Sequence, residues 1–152
     1  MDGRAEAQHR SMPTMTQRLL RLWERPLDGD AEAAFREVYA DPVRVNGALL
    51  PVSGLVERAR ALHTAYEGRV TELVDEIETP GRLVVGFRMR ARHTGPLQTP
   101  LGTVPPTGRE VVIRVTDILT VEDGMITDIW MVADELGLLL QLDAVRAAEG
   151  VR

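Results

Sequence analysis

The sequence predicts an α+β fold in which helices come first and a curved antiparallel sheet follows. Three observations carry this. Apolar residues recur at helical spacing in three segments before residue 67. From about residue 70 to 133 the spacing changes to strict alternation. Pro80-Gly81 and Glu122-Asp123-Gly124 then punctuate the alternating runs, as hairpins require. Elements grouped in this way read as α+β rather than doubly wound α/β. A strongly curved sheet wrapped by helices leaves a cavity on its concave face. The segment Gly102 to Leu142 is expected to form one wall of it.

Residues 1–12 are polar and without period, and are expected to form a flexible tail before one domain over 13–148. Thr14 or Thr16 can cap a helix through TQRLLRLWER, with Leu19, Leu20 and Trp23 on one face. A second helix is expected from about Asp30 to Tyr39, broken at Asp41-Pro42. Val43 and Val45 read as a short strand, and Asn46-Gly47 as a tight turn. A third helix follows Ser53, with Leu55, Val56, Ala59, Leu62 and Tyr66 at helical spacing.

The segment VTELVDEIET is a strand. In RLVVGFRMRAR, Leu83, Val85, Phe87, Met89 and Ala91 share one face, and Arg88, Arg90 and Arg92 the other, which marks a strand with one buried side. Gly95 to Gly108 reads as a loop. Two long strands, REVVIRVTDILTV and MITDIWMVA, are joined by the Glu-Asp-Gly turn, and Asp134 opens a last helix, ELGLLLQLDAVRAA.

Composition narrows the function. The 152 residues suit one domain, and 44% are apolar, enough for a core. A net charge of −5 disfavours nucleic-acid binding, which needs a basic surface. The chain has no cysteine, so thiolate chemistry and cysteine-held metals are absent. It has no lysine either, which removes Schiff-base chemistry. His9, His63 and His93 lack metal-ligand spacing, and neither a metal nor a cofactor is expected. No apolar run reaches membrane-spanning length, and the polar start does not resemble a signal peptide; a cytoplasmic protein is expected.

The run HTGPLQTPLGTVPPTGREVVIRVTDILTVEDGMITDIW, followed by DELGLLLQL, resembles the SnoaL-like polyketide cyclase family of the nuclear transport factor 2-like superfamily. The match is clearest over residues 83–142. The resemblance implies a cone-like, cystatin-like fold with a deep apolar pocket, commonly in a homodimer. It also implies a cofactor-independent cyclase of secondary metabolism, which closes a polyketide ring by general acid–base catalysis. In the family a His stands on the first strand of the final hairpin and an Asp on the second. Those positions fall here on Asp117 and Met131, so the usual pair is altered. Asp134 matches a second Asp of the family.

Asp117 shares its strand face with Ile113, Val115 and Leu119. A carboxylate there is desolvated, its pKa rises, and it becomes a candidate base. Asp134 is a candidate assistant and also an N-cap. His93 follows the apolar face of its strand and is a candidate proton-transfer partner. Met131, Phe87, Met89, Val115, Trp130, Tyr39 and Trp23 are expected to line the pocket. The arginine stripe, extended by Arg114, reads as an outer surface, and Gly102 to Gly108 lacks the context of a phosphate loop. The expected partner is an apolar small molecule. The alternatives are an epoxide-opening cyclase or hydrolase and a pocket protein that only binds or templates its ligand. Simple epoxide hydrolysis is disfavoured by Met131 and by Arg88-Met89-Arg90 where Arg-x-Asp would stand.

Overall fold

Alternation along two central strands sets the architecture. In the computed structural model, which describes residues 11–150, β4 (Arg82–His93) and β7 (Glu110–Glu122) pair antiparallel from Arg82↔Thr120 to Arg92↔Glu110. Leu83, Val85, Met89 and Ala91 of β4 are buried, as are Val111, Ile113, Asp117 and Leu119 of β7. The intervening arginines face outward, as the alternation requires. β8 (Met125–Ala133) flanks β7, and β3 (Tyr66–Thr79) flanks β4. β1 (Tyr39–Val45) adds to β8 in parallel, with β2 (Ala48–Leu50) outside it. The sheet order among the described residues is β2-β1-β8-β7-β4-β3.

Helices cover the concave face. α1 (Met15–Glu24) starts at Thr14 in a capping box: Thr14 Oγ1 accepts from Gln17 N at 3.1 Å and Gln17 Oε1 accepts from Thr14 N at 3.0 Å. It buries Leu19 and Leu22. α2 (Ala31–Arg36) buries Phe35, and α3 (Val52–Ala65) buries Val52, Leu55, Val56 and Ala59. The main core joins these side chains to Val43, Val85, Leu119 and Ile126 of the sheet.

Several boundaries differ from the sequence expectation. The second helix stops at Arg36 rather than Tyr39, because Tyr39 pairs with Ile126 of β8. β1 then runs through Asp41-Pro42, whose peptide is cis, and the register with β8 shifts there; proline has no N–H for the ladder. Tyr66 begins β3 instead of ending α3. The expected 95–108 loop contains a hairpin, β5 (Leu97–Thr99) with β6 (Gly102–Val104). The last helix, α4 (Glu135–Gln141), is half its expected length. Asp143 takes a left-handed conformation, and Asp143 N and Ala144 N bond back to Leu140 O and Leu139 O, a Schellman stop. Most of the expected N-terminal tail lies outside the described residues.

Gly95 holds the turn after β4 against the end of α3, donating to Ala65 O at 3.1 Å. A Cβ there would overlap the Thr64 carbonyl. Gly95→Ala should therefore cost about 2–3 kcal/mol through a forced backbone shift. Chemical denaturation should show a lower midpoint with an unchanged slope.

Candidate active site

Between the concave sheet face and the helices lies a cavity of about 800 Å³. That size suits a small organic ligand. Of the expected lining residues, Trp23, Tyr39, Phe87, Met89, Val115 and Met131 all reach it. Trp130 does not. It lies one residue out of phase with Met131 on β8, so the pleat turns it to the outer face, where it is 54% exposed. The main chain of Met131 is held by Asn46, whose side chain accepts from Met131 N at 2.8 Å and donates to Met131 O at 3.3 Å. The Asn46-Gly47 turn thus clamps the wall strand as well as reversing the chain.

Asp117 is placed as its parity predicts. It pairs across the sheet with Val85 on one side and Met131 on the other, lines the cavity, and is only 8% exposed. Its Oδ1 is buried with no hydrogen-bond partner among the described residues. Burial pushes its pKa up to about 6. An unpaired carboxylate in an apolar wall costs folding energy, and it is also the form of Asp that can take or give a proton near neutral pH.

Tyr39 stands close enough that the Asp117 charge bears on it. Burial raises the pKa of its phenol strongly, and the nearby carboxylate adds to the rise. Trp23 Nε1 donates to the Tyr39 hydroxyl at 2.7 Å. An indole N–H can only donate, so the phenol oxygen accepts and its own proton stays available. No acceptor for that proton is found among the described residues.

The other two candidates lie elsewhere. His93 is fully buried but is absent from the cavity wall. It packs beside Tyr66 in the second core cluster, ring centroids 5.9 Å apart. Its Nδ1 accepts from the Thr107 amide at 3.3 Å and lies 2.9 Å from Thr107 Oγ1. Burial holds its pKa below the ordinary imidazole value, and it ties the β4 end to the 105–109 segment. Asp134 caps α4, accepting from Gly137 N at 2.9 Å, and also does not reach the cavity.

Among the lining residues that sequence reasoning did not place there are Tyr66 and Arg69. Tyr66 was assigned to a helix face. Arg69 was not singled out, although the glycine before it is a signal for a strand bulge.

The sequence pattern of the SnoaL-like polyketide cyclase family matches residues 15–142. Among solved structures, TsrD from Streptomyces laurentii is similar at 25% identity and a TM-score of 0.72, covering 86% of this chain and 93% of its own. A SnoaL-like polyketide cyclase from Agrobacterium tumefaciens has 19% identity and a TM-score of 0.67, with 86% and 99% covered. A Catenulispora acidiphila protein with a ketosteroid isomerase-like fold has 11% identity and a TM-score of 0.63, with 88% and 95% covered. No curated protein sequence matches the chain.

The raised Asp117 pKa makes a stability prediction. In the unfolded chain an Asp releases its proton near pH 4, and in the fold Asp117 keeps it to about 6. Between those values the folded state holds more protons, so stability falls as pH rises through the window and stays low above it. Asp117→Asn should remove that loss, raising stability by about 2–3 kcal/mol at pH 8 and by little at pH 4. Thermal melts at both pH values check this; an equal change at both would mean the carboxylate is not desolvated.

Proposed function

This chain belongs to the SnoaL-like polyketide cyclase family, and from that membership we propose that it closes a carbocyclic ring in a polyketide-like chain by general acid–base catalysis. The observation that carries the reading is the unpartnered Asp117 carboxylate in the cavity wall. Asp117 removes a proton from the carbon between or beside carbonyl groups. The Tyr39 O–H donates to the enolate oxygen as charge develops there, and the Trp23 N–H bond makes the phenol a better donor. The enolate carbon then attacks a second carbonyl of the same chain. The alkoxide so formed takes back the proton held by Asp117, and no atom is gained or lost in the addition.

The apolar walls contribute in two ways. They keep Asp117 weakly solvated, so its proton affinity suits the task. They also fold the chain so that its two carbonyls meet, which supplies proximity. Met131 faces the ligand from the position directly across the strand pair from Asp117, where the family has a carboxylate. In this reading one carboxylate does both halves of the proton transfer, and Met131 contributes shape. The partner would be an apolar small molecule, handled in natural-product assembly without a cofactor.

Heptane-2,6-dione is a suitable probe, because its internal aldol addition gives a β-hydroxyketone that then loses one water to form a conjugated cyclic enone visible in the ultraviolet. Rate should rise with pH through about 6 to a plateau. Asp117→Asn should lower kcat by roughly a hundredfold or more with little change in KM. Tyr39→Phe should lower kcat about ten- to a hundredfold. Full activity in Asp117→Asn would sink the acid–base mechanism in favour of closure by shape alone.

The outer sheet face supports a second proposal, that two copies pair there. Trp130 and Ile118 face each other across β7 and β8 and are exposed, with Val132 beside them. An exposed apolar cluster of this kind on a soluble chain calls for a partner. Light scattering should give a dimer mass for the wild type and a monomer for Trp130→Arg. A wild-type monomer at micromolar concentration would exclude the pairing.

A further inference from the structure

One stretch of β3 breaks the strand's alternation. Glu67 pairs with Arg92 and Val70 with Arg90, so Gly68 and Arg69 together oppose Ala91 alone. Gly68 takes φ +61°, a left-handed conformation that suits glycine. The extra residue shifts the phase, and Tyr66, Arg69 and Thr71 all line the cavity. Without the bulge Arg69 would share the outward face of Glu67. Bulges are a known means of re-aiming one side chain beside a site.

The re-aimed guanidinium is half-buried and its charge is not neutralised. Nη2 donates to the Trp23 carbonyl at 2.7 Å and lies 2.9 Å from His63 Nε2. Burial, and then the Arg69 charge, hold the His63 pKa below the ordinary value, so the imidazole is a neutral neighbour. Burial also lowers the Arg69 pKa, yet a guanidinium stays charged. No carboxylate among the described residues lies within ion-pair distance of it. Glu24 is the one acidic group whose charge bears on it, and Glu24 Oε1 already accepts from Thr71 N at 3.0 Å. Nε and Nη1 have no acceptor among the described residues. Three residues away, the Tyr66 hydroxyl is buried without a partner, and burial pushes its pKa up to about 12, so it remains a donor.

We propose that this end of the cavity is a carboxylate-binding subsite, with Arg69 as the anchor and Tyr66 as a second donor. The proposal rests on the cavity being the substrate site. Two donors without an acceptor, one of them a planar cation, fit a planar anion with two oxygens. A neutral amide, ester or thioester would leave the guanidinium unpaired. The substrate class is therefore a free acid, and the reaction that supplies it must release the acyl chain from any carrier as a carboxylate.

Isothermal titration calorimetry of the full chain with 2-naphthoate and 2-naphthamide at about pH 8 tests this without any turnover. The acid should bind at least tenfold more tightly than the amide. Arg69→Gln should remove that preference while leaving amide binding within about twofold, and Asp117→Asn should leave the preference in place. Failure of ring closure would show in the dione assay and not here, so the two ideas fail separately. A crystal of the wild type soaked with 2-naphthoate gives the answer without a substitution: a carboxylate oxygen should lie within hydrogen-bond distance of Arg69 Nη1 or Nε. Equal affinities, absent naphthoate binding, a preference that survives Arg69→Gln, or a carboxylate seated elsewhere in the cavity would each overturn the subsite.

Discussion

Everything in the cavity depends on the pairing of β7 with a strand on each side. The register sets Asp117 between Val85 and Met131, and because a strand alternates its faces, that register decides what the cavity contains. A slip of one residue would turn Asp117 to the outside and bring Thr116 or Ile118 in. The apolar rows Leu83-Val85-Met89 and Val111-Ile113-Leu119 resist such a slip, since it would expose them all at once. A lone carboxylate is thus held in an unfavourable place by the burial of its neighbours. Register shifts between Glu67 and Val70, Leu73 and Asp75, and Thr120 and Val121 add bends on both flanks. A sheet bent in this way becomes concave enough to keep a hollow under the helices.

Much of this was legible in the sequence, and the reason is periodicity. Asp117 was found because it interrupts an apolar face of a long strand, and such an interruption is visible without coordinates. β4, β7 and β8 were placed to within a residue for the same reason. Tyr66 was not legible: it ends a run with helical spacing, and only its pairing with His93 makes it a strand residue. Arg69 was hidden by the bulge, which inverts the parity that any alternation rule assumes. His93 kept the expected inward parity, but parity does not say whether inward means cavity or core. At the far end of β4 the inside is filled by Tyr66, Ala91, Val111 and Leu142, so an inward His becomes a structural one. Asp134 carried two readings in the sequence, and local geometry decided for the cap: Gly137 lies so close that a Cβ would collide with the Asp134 carboxylate.

The unsatisfied groups have a common energetic meaning. A buried polar atom without a partner costs about 1–3 kcal/mol, and a native fold keeps few of them. Asp117 Oδ1 and the Tyr66 hydroxyl are such atoms on residues that line the cavity, and the Tyr39 proton is a second unmatched donor there. Hydrophobic residues of similar size would remove these penalties. His93 Nε2 is a third partnerless buried atom and lies in the core, but the groups around the cavity match a surface shaped for an oxygen-rich but largely apolar ligand. A ligand that supplies the missing acceptors stabilises the fold by the same interactions that hold it in place.

Trp23 joins the two ends of that surface. Its indole N–H fixes the Tyr39 hydroxyl, and its main-chain carbonyl fixes Arg69 Nη2. One residue at the end of α1 therefore sets both the donor proposed for the reacting carbonyl and the cation proposed for the far terminus. That linkage bears on ring closure directly. A flexible chain with several equivalent carbonyls can fold in many ways, and choosing one ring size needs a fixed distance between the anchored end and the base. In the proposed mechanism Arg69 would supply the origin of that measure, Asp117 the point where the proton leaves, and the Trp23–Tyr39 bond would keep the enolate-oxygen contact from drifting between them. In that proposed arrangement selectivity for ring size becomes a property of spacing along the cavity, and the Met131 thioether leaves Asp117 without a second base directly across the strand pair.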